Sequence, residues 1–220
     1  MLIAQNTSLF MNEFLEPAMA VIVSAIAAIL IGGYAFMACK KHSEIELQTR
    51  NILLSLSIAA AGWLLTVCSF SRISENEIFL AGCLLASAGA AISFSDGLFR
   101  LILAPTVTCT LLFSIWLLIS NMPQYNGVVI NNLIVLAIFW LICSIFIKTA
   151  IADELLLAAL GVALLTFDTN AMIAFFLVFI ALVLFLHFIV LTQIPKDSKA
   201  QVAIVPPMFF AFGISTLFII

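Results

Sequence analysis

The chain has 220 residues, 65% of them hydrophobic and 9% charged, whereas a water-soluble domain carries about a quarter charged residues. That composition excludes an ordinary soluble globule. A net charge of −3, with no basic stripe interleaved with aromatics, excludes a nucleic-acid surface.

A bilayer-crossing helix needs roughly 20 apolar residues, so the length accommodates about eight with short connections. No room is left for a separate soluble domain, and residues 1–220 read as one all-α polytopic membrane bundle. The N-terminus lacks a basic region and carries Glu13 and Glu16 instead. The apolar stretch Pro17 to Cys39 is too long for a signal-peptide core and predicts a retained first helix. Apolar runs and polar punctuation then predict helices over Ile52–Phe70, Ile78–Ile92, Gly97–Ser120, Val128–Ile147, Asp153–Phe167, Ala171–Thr192 and Val202–Ile220. The third and sixth of the eight are short. The five cysteines (Cys39, Cys68, Cys83, Cys109, Cys143) stand singly in apolar sequence with no CxxC pair, which points to small packing residues rather than a zinc ribbon or disulfide framework.

Charge orients this bundle. With eight spans, Lys40, Lys41, Arg50, Arg100, Lys148, Lys196 and Lys199 fall on one side and only Arg72 on the other. Lys and Arg are retained on the cytoplasmic side during insertion, so both termini are expected to face outward.

Most acids have plain explanations. Glu13, Glu16, Glu44, Glu46, Glu75, Glu77 and Asp197 fall in polar tails or loops, and Asp168 in FDTN suits a turn or helix cap. Asp96 in ISFSDGLFR and Asp153 with Glu154 in KTAIADELLLAALG remain. Each group is expected at the cytoplasmic start of a hydrophobic helix, the fourth and the sixth. Asp is a favoured N-cap there, stabilised by the helix dipole. Ionisable groups at membrane depth also tend to mark functional sites, and two adjacent carboxylates share a proton. Such a pair can activate water with one member and protonate a leaving amine with the other. Capping and catalysis are compatible.

DELLLAALG, Asp153 to Gly161, resembles the segment after the GxGD motif of type IV prepilin peptidases. ISFSDGLFRLILAP resembles the surroundings of the family's other aspartate, and PKDSKAQ followed by VAIVPPMFFAFG resembles its final Pro-containing helix. The departures are specific. The motif glycines fall on Ala150 and Ala152, the Lys two residues after the motif Asp is Leu155, and Pro105 lies nine residues after Asp96 rather than about seven. The loop Lys40–Asn51 is too short for the cysteine-rich zinc domain of longer members, so the resemblance is to compact ones.

The resemblance implies an aspartic endopeptidase of the bacterial cytoplasmic (inner) membrane, with Asp96 and Asp153 catalytic and no metal. Its partners would be prepilins or pseudopilins, of type IV pilus or protein secretion systems, cut at a basic leader on the cytoplasmic face. Many longer members also methylate the new N-terminus with S-adenosylmethionine, a cofactor for which no site is identified here. Glu154 would be a substrate-leader contact. The rival readings are a small transporter or channel subunit binding ions or protons at the same acids, and a non-catalytic scaffold. His187 reads as a packed or interfacial histidine, Pro206-Pro207 as a bend opening the last helix, Gly32-Gly33 as a close-packing site, and Trp63, Trp116 and Trp140 as packing or interface residues.

Overall fold

A computed structural model describes residues 2–42, 49–73, 75–146, 151–193 and 203–219. Every regular element among them is helical: α1 (Leu2–His42), α2 (Thr49–Phe70), α3 (Asn76–Phe99), α4 (Ala104–Phe146), α5 (Ile151–Leu164), α6 (Thr169–Gln193) and α7 (Val205–Ser215), which ends in a 3₁₀ turn over Thr216–Phe218. Among the described residues, six stretches are long and apolar enough to cross a bilayer: Ala18–His42, Ile52–Phe70, Asn76–Phe99, Ala104–Met122, Gly127–Ile145 and Thr169–Leu186. The chain is an all-helical, multi-pass membrane protein. With 14 and 11 residues, α5 and α7 are shorter.

Three boundaries differ from those expected. Helix α1 begins at Leu2 rather than Pro17; an internal proline forfeits one backbone bond but does not forbid the residues before it from being helical. Glu13 and Glu16 therefore belong to a helix and not to a polar tail. Helix α3 continues past Ile92 through Ser93, Ser95 and Asp96 to Phe99. The polar SFSD run is not punctuation, because a buried hydroxyl can bond back to its own helix, as Ser95 does to the Ile92 carbonyl at 3.0 Å. The helix stops instead at Arg100, the one non-glycine residue with positive φ among those described (56°), whose N–H caps the Asp96 carbonyl at 3.0 Å. Helix α4 then starts at Ala104, not Gly97.

The third difference lies within α4, where helix runs unbroken through Asn121–Gly127. Forty-three residues in a straight helix would be about 65 Å long, roughly twice the hydrocarbon thickness, so its two apolar stretches must address the bilayer separately. Their meeting point is marked. Asn121 donates to Thr166 Oγ1 at 2.9 Å, and Asn132 donates to the Leu165 and Phe167 carbonyls at 3.0 and 2.7 Å. Both asparagines thus converge on the α5–α6 corner. From there the second half of α4 runs antiparallel to α5: a Cβ on Gly161 would strike Leu136, and Cys143 stands within electrostatic reach of Glu154.

Helix α3 is the central element, packed by α1, α2, α4 and α7. Helix α1 lies parallel to it. Ser24 meets Cys83 and Ser87 by hydrogen bonds of 2.8 and 2.9 Å, Phe36 packs on Phe94 and Phe99, and the Cys39 thiol reaches the Leu101 carbonyl at 3.9 Å. Helix α7 fills the other side, with Phe209 wedged between Gly62 of α2 and Gly89 of α3. A Cβ at Gly62 would sit 2.7 Å from that ring, so the ring would have to shift to admit any other residue there. Gly32 and Gly33 are not a close-packing pair. The nearest atom to a Cβ on Gly32 is Ala91 Cβ at 4.0 Å, and Gly33 faces open space. Both line an apolar groove of about 460 Å³ between α1, α2 and α3. Trp63 has a definite polar role, donating its indole N–H to Ser24 at 3.0 Å and so linking α2 to α1. All five cysteines are free thiols, three of them buried.

Candidate active site

Asp96 occupies the last turn of α3 and Asp153 the first turn of α5. The expectation that each opens a helix holds for Asp153 alone. Asp96 closes its helix, so the N-cap role expected for it is ruled out: it stands at the dipole's negative end, where a carboxylate gains nothing from the helix that carries it. Both side chains are nonetheless buried, with 6% and 9% of their surface exposed. The two carboxylates act on each other electrostatically, and Arg100 acts on Asp96 as well. The Cys39 thiol, from the end of α1, stands within the same range of Asp96.

Helix α7 supplies what α3 cannot. The Val205 N–H donates to Asp96 Oδ2 at 3.2 Å. Pro206 and Pro207 have no N–H, and Met208 bonds the Ile204 carbonyl at 3.1 Å, so this turn offers its one available backbone donor to the aspartate. The prolines stand in the first turn, where missing donors cost nothing. Close packing brings the segments together: a Cβ on Gly97 would approach Ser55 Oγ at 2.8 Å and Pro206 at 3.6 Å.

The neighbourhood is basic and open on one flank. Lys40 and Lys41 end α1 beside the end of α3, and Arg100 is exposed. Arg72 follows α2 at the opposite end of the bundle, where Phe70 packs on Phe167. Next to Asp96, a cleft of about 410 Å³ is lined by residues including Gly97, Arg100, Ser55 and Pro206, and it extends along apolar side chains of α2, α6 and α7. Such a cleft can take an apolar segment, with Arg100 and Ser55 as its polar lining.

The remaining candidates separate clearly. Glu154 is half-buried and within electrostatic reach of Cys143 on α4. Leu155 is 54% exposed, so this departure from the family pattern points off the bundle. Ala152 is half-buried, while Ala150, Lys148, Lys196 and Lys199 lie outside the described residues, as does the His187 side chain. Asp168 caps α6, accepting from the Asn170 N–H at 3.2 Å, as expected. Among the described residues no three His, Cys, Asp or Glu side chains converge as a metal centre would require.

Sequence reasoning missed Val205, which acts through its backbone from a position 109 residues away. The only sequence signal was the adjacent Pro-Pro pair, which strips the turn of competing donors. No protein-family model, curated protein or solved structure matches the chain.

Proposed function

We propose that the chain is an aspartic membrane endopeptidase of the prepilin-peptidase type, with Asp96 and Asp153 as its catalytic pair. The observation that carries this reading is the meeting of two buried aspartates from separate helices, acting on each other, at the bundle end that bears Lys40, Lys41 and Arg100. One carboxylate takes a proton from water as the water oxygen attacks the scissile carbonyl. The other, protonated, gives its proton to the departing amide nitrogen, and the C–N bond breaks to leave a carboxyl group and an amine. In this reading the chain crosses a bacterial cytoplasmic membrane eight times, α5 and α7 included, with both termini outside and the aspartates at the cytoplasmic face. The adjoining cleft receives the substrate where its basic leader joins its hydrophobic helix.

A transporter or channel would need ionisable groups along a path across the bilayer. Among the described residues the acids gather at the two ends instead. A scaffold has no need of two carboxylates within reach of each other. The test is cleavage of a leader-bearing prepilin by the purified protein in proteoliposomes. Asp96→Asn and Asp153→Asn should each abolish cleavage while leaving expression and insertion intact; undiminished cleavage by either variant sinks the assignment.

A further inference from the structure

Three buried side-chain atoms among the described residues have no hydrogen-bond partner: Ser93 Oγ, Asn132 Oδ1 and Ser144 Oγ. Asn132 already spends its amide group on the α5–α6 corner. Ser93 stands apart. It is completely buried and lies on the face of α3 that meets α7, one helical turn from both Gly89, which receives Phe209, and Asp96, which receives Val205.

Ser144 is only half-buried, and several other hydroxyls in the bundle are satisfied within their own helix. Thr66, Ser69, Ser87, Thr110 and Ser114 each bond a carbonyl four residues back, at 2.7 to 3.0 Å. Ser95, two residues from Ser93, bonds Ile92. An unsatisfied buried hydroxyl is costly because it has given up its water without a replacement, so in a native protein it calls for a partner such as an ordered water.

We propose that Ser93 is a positioning residue of this site: its hydroxyl holds a water molecule between α3 and α7, against the Asp96 carboxylate, as the nucleophile for the aspartate pair. A water there is bonded by two groups fixed on one rigid helix, which meets the usual requirement of two or more polar partners. The nucleophilic role rests on the peptidase reading; the hydroxyl–water–carboxylate arrangement does not. The charged and titratable groups facing Asp96 are Asp153 from α5, Cys39 from α1 and Arg100 on its own chain segment, with the Val205 N–H from α7.

Two readouts separate the claims. In cleavage assays Ser93→Ala should lower kcat about tenfold with KM unchanged, the loss expected for one hydrogen bond realised in the transition state. Ser93→Thr should restore the rate, and Ser95→Ala should match the parent. An unchanged kcat in Ser93→Ala, with Asp96→Asn inactive, overturns the proposal. The second readout needs no activity. Infrared pH titration in nanodiscs follows the carboxyl band that Asp96→Asn removes. Ser93→Ala should displace its midpoint by about half a pH unit or more, and Ser93→Thr should return it. An undisplaced midpoint overturns the arrangement even if the parent cleaves no prepilin, a failure that would strike the peptidase reading alone. Should Ser93→Ala fold poorly, the near-isosteric pair Ser93→Val and Ser93→Thr carries both comparisons.

Discussion

The two ends of the bundle put polar groups to different uses, although one buried oxygen, Asn132 Oδ1, is unpaired at the first as Ser93 Oγ is at the second. At the α5–α6 corner Asn121, Asn132 and Asp168 are engaged in tying helices and turns together. At the other end two buried aspartates stand within electrostatic reach of each other, one of them accepting from a backbone N–H, and a hydroxyl one turn away is left unspent. The first arrangement fixes the backbone. The second sets polar chemistry beside a cleft at some cost to stability, which is how functional sites differ from structural ones.

The sharpest way to break this contrast is to neutralise each end. Asp96→Asn or Asp153→Asn should cut prepilin cleavage by about a thousandfold or more with little change in thermal midpoint in detergent. Asn132→Leu should do the reverse, destabilising the bundle by about 1–2 kcal/mol in reversible SDS unfolding, with kcat retained by the folded fraction. Comparable activity losses from both ends would dissolve the distinction. Gly89→Ala tests the connection between stability and site, because Phe209 must move to admit the new methyl and Phe209 shares α7 with Val205. It should cost about 1–3 kcal/mol and lower kcat as well. Trp63→Phe should be the mildest change, about half a kcal/mol of stability through the lost bond to Ser24, with kcat unaltered.

Helical class and most apolar segments were legible in the sequence because lipid-exposed and buried positions are alike apolar. Boundaries were less so. SFSD and the stretch from Asn121 to Gly127 are polar enough to look like connections, yet a helix satisfies its own backbone and lends carbonyls to serine hydroxyls, so polarity alone does not end it. The aspartates stood out because each stands at the edge of a long apolar run. Their surroundings did not. Nothing local distinguishes Ser93 from Ser95, and the difference lies in where each hydroxyl turns. Gly32-Gly33 was conspicuous as a pair, whereas the glycines that admit Phe209 are single residues on different helices.

The route out of α3 has a consequence for how this protein can change. Asp96 and the stop at Arg100 belong to one rigid screw whose phase is set by Gly89 beneath Phe209. One residue inserted between Gly89 and Asp96 would rotate the carboxylate by about 100°, off α7 and out of register with Asp153. The same insertion among Leu101–Leu103, beyond the left-handed residue that ends the screw, would leave the carboxylate's angle untouched. Length variation is thus tolerated or forbidden according to which side of Arg100 it falls on.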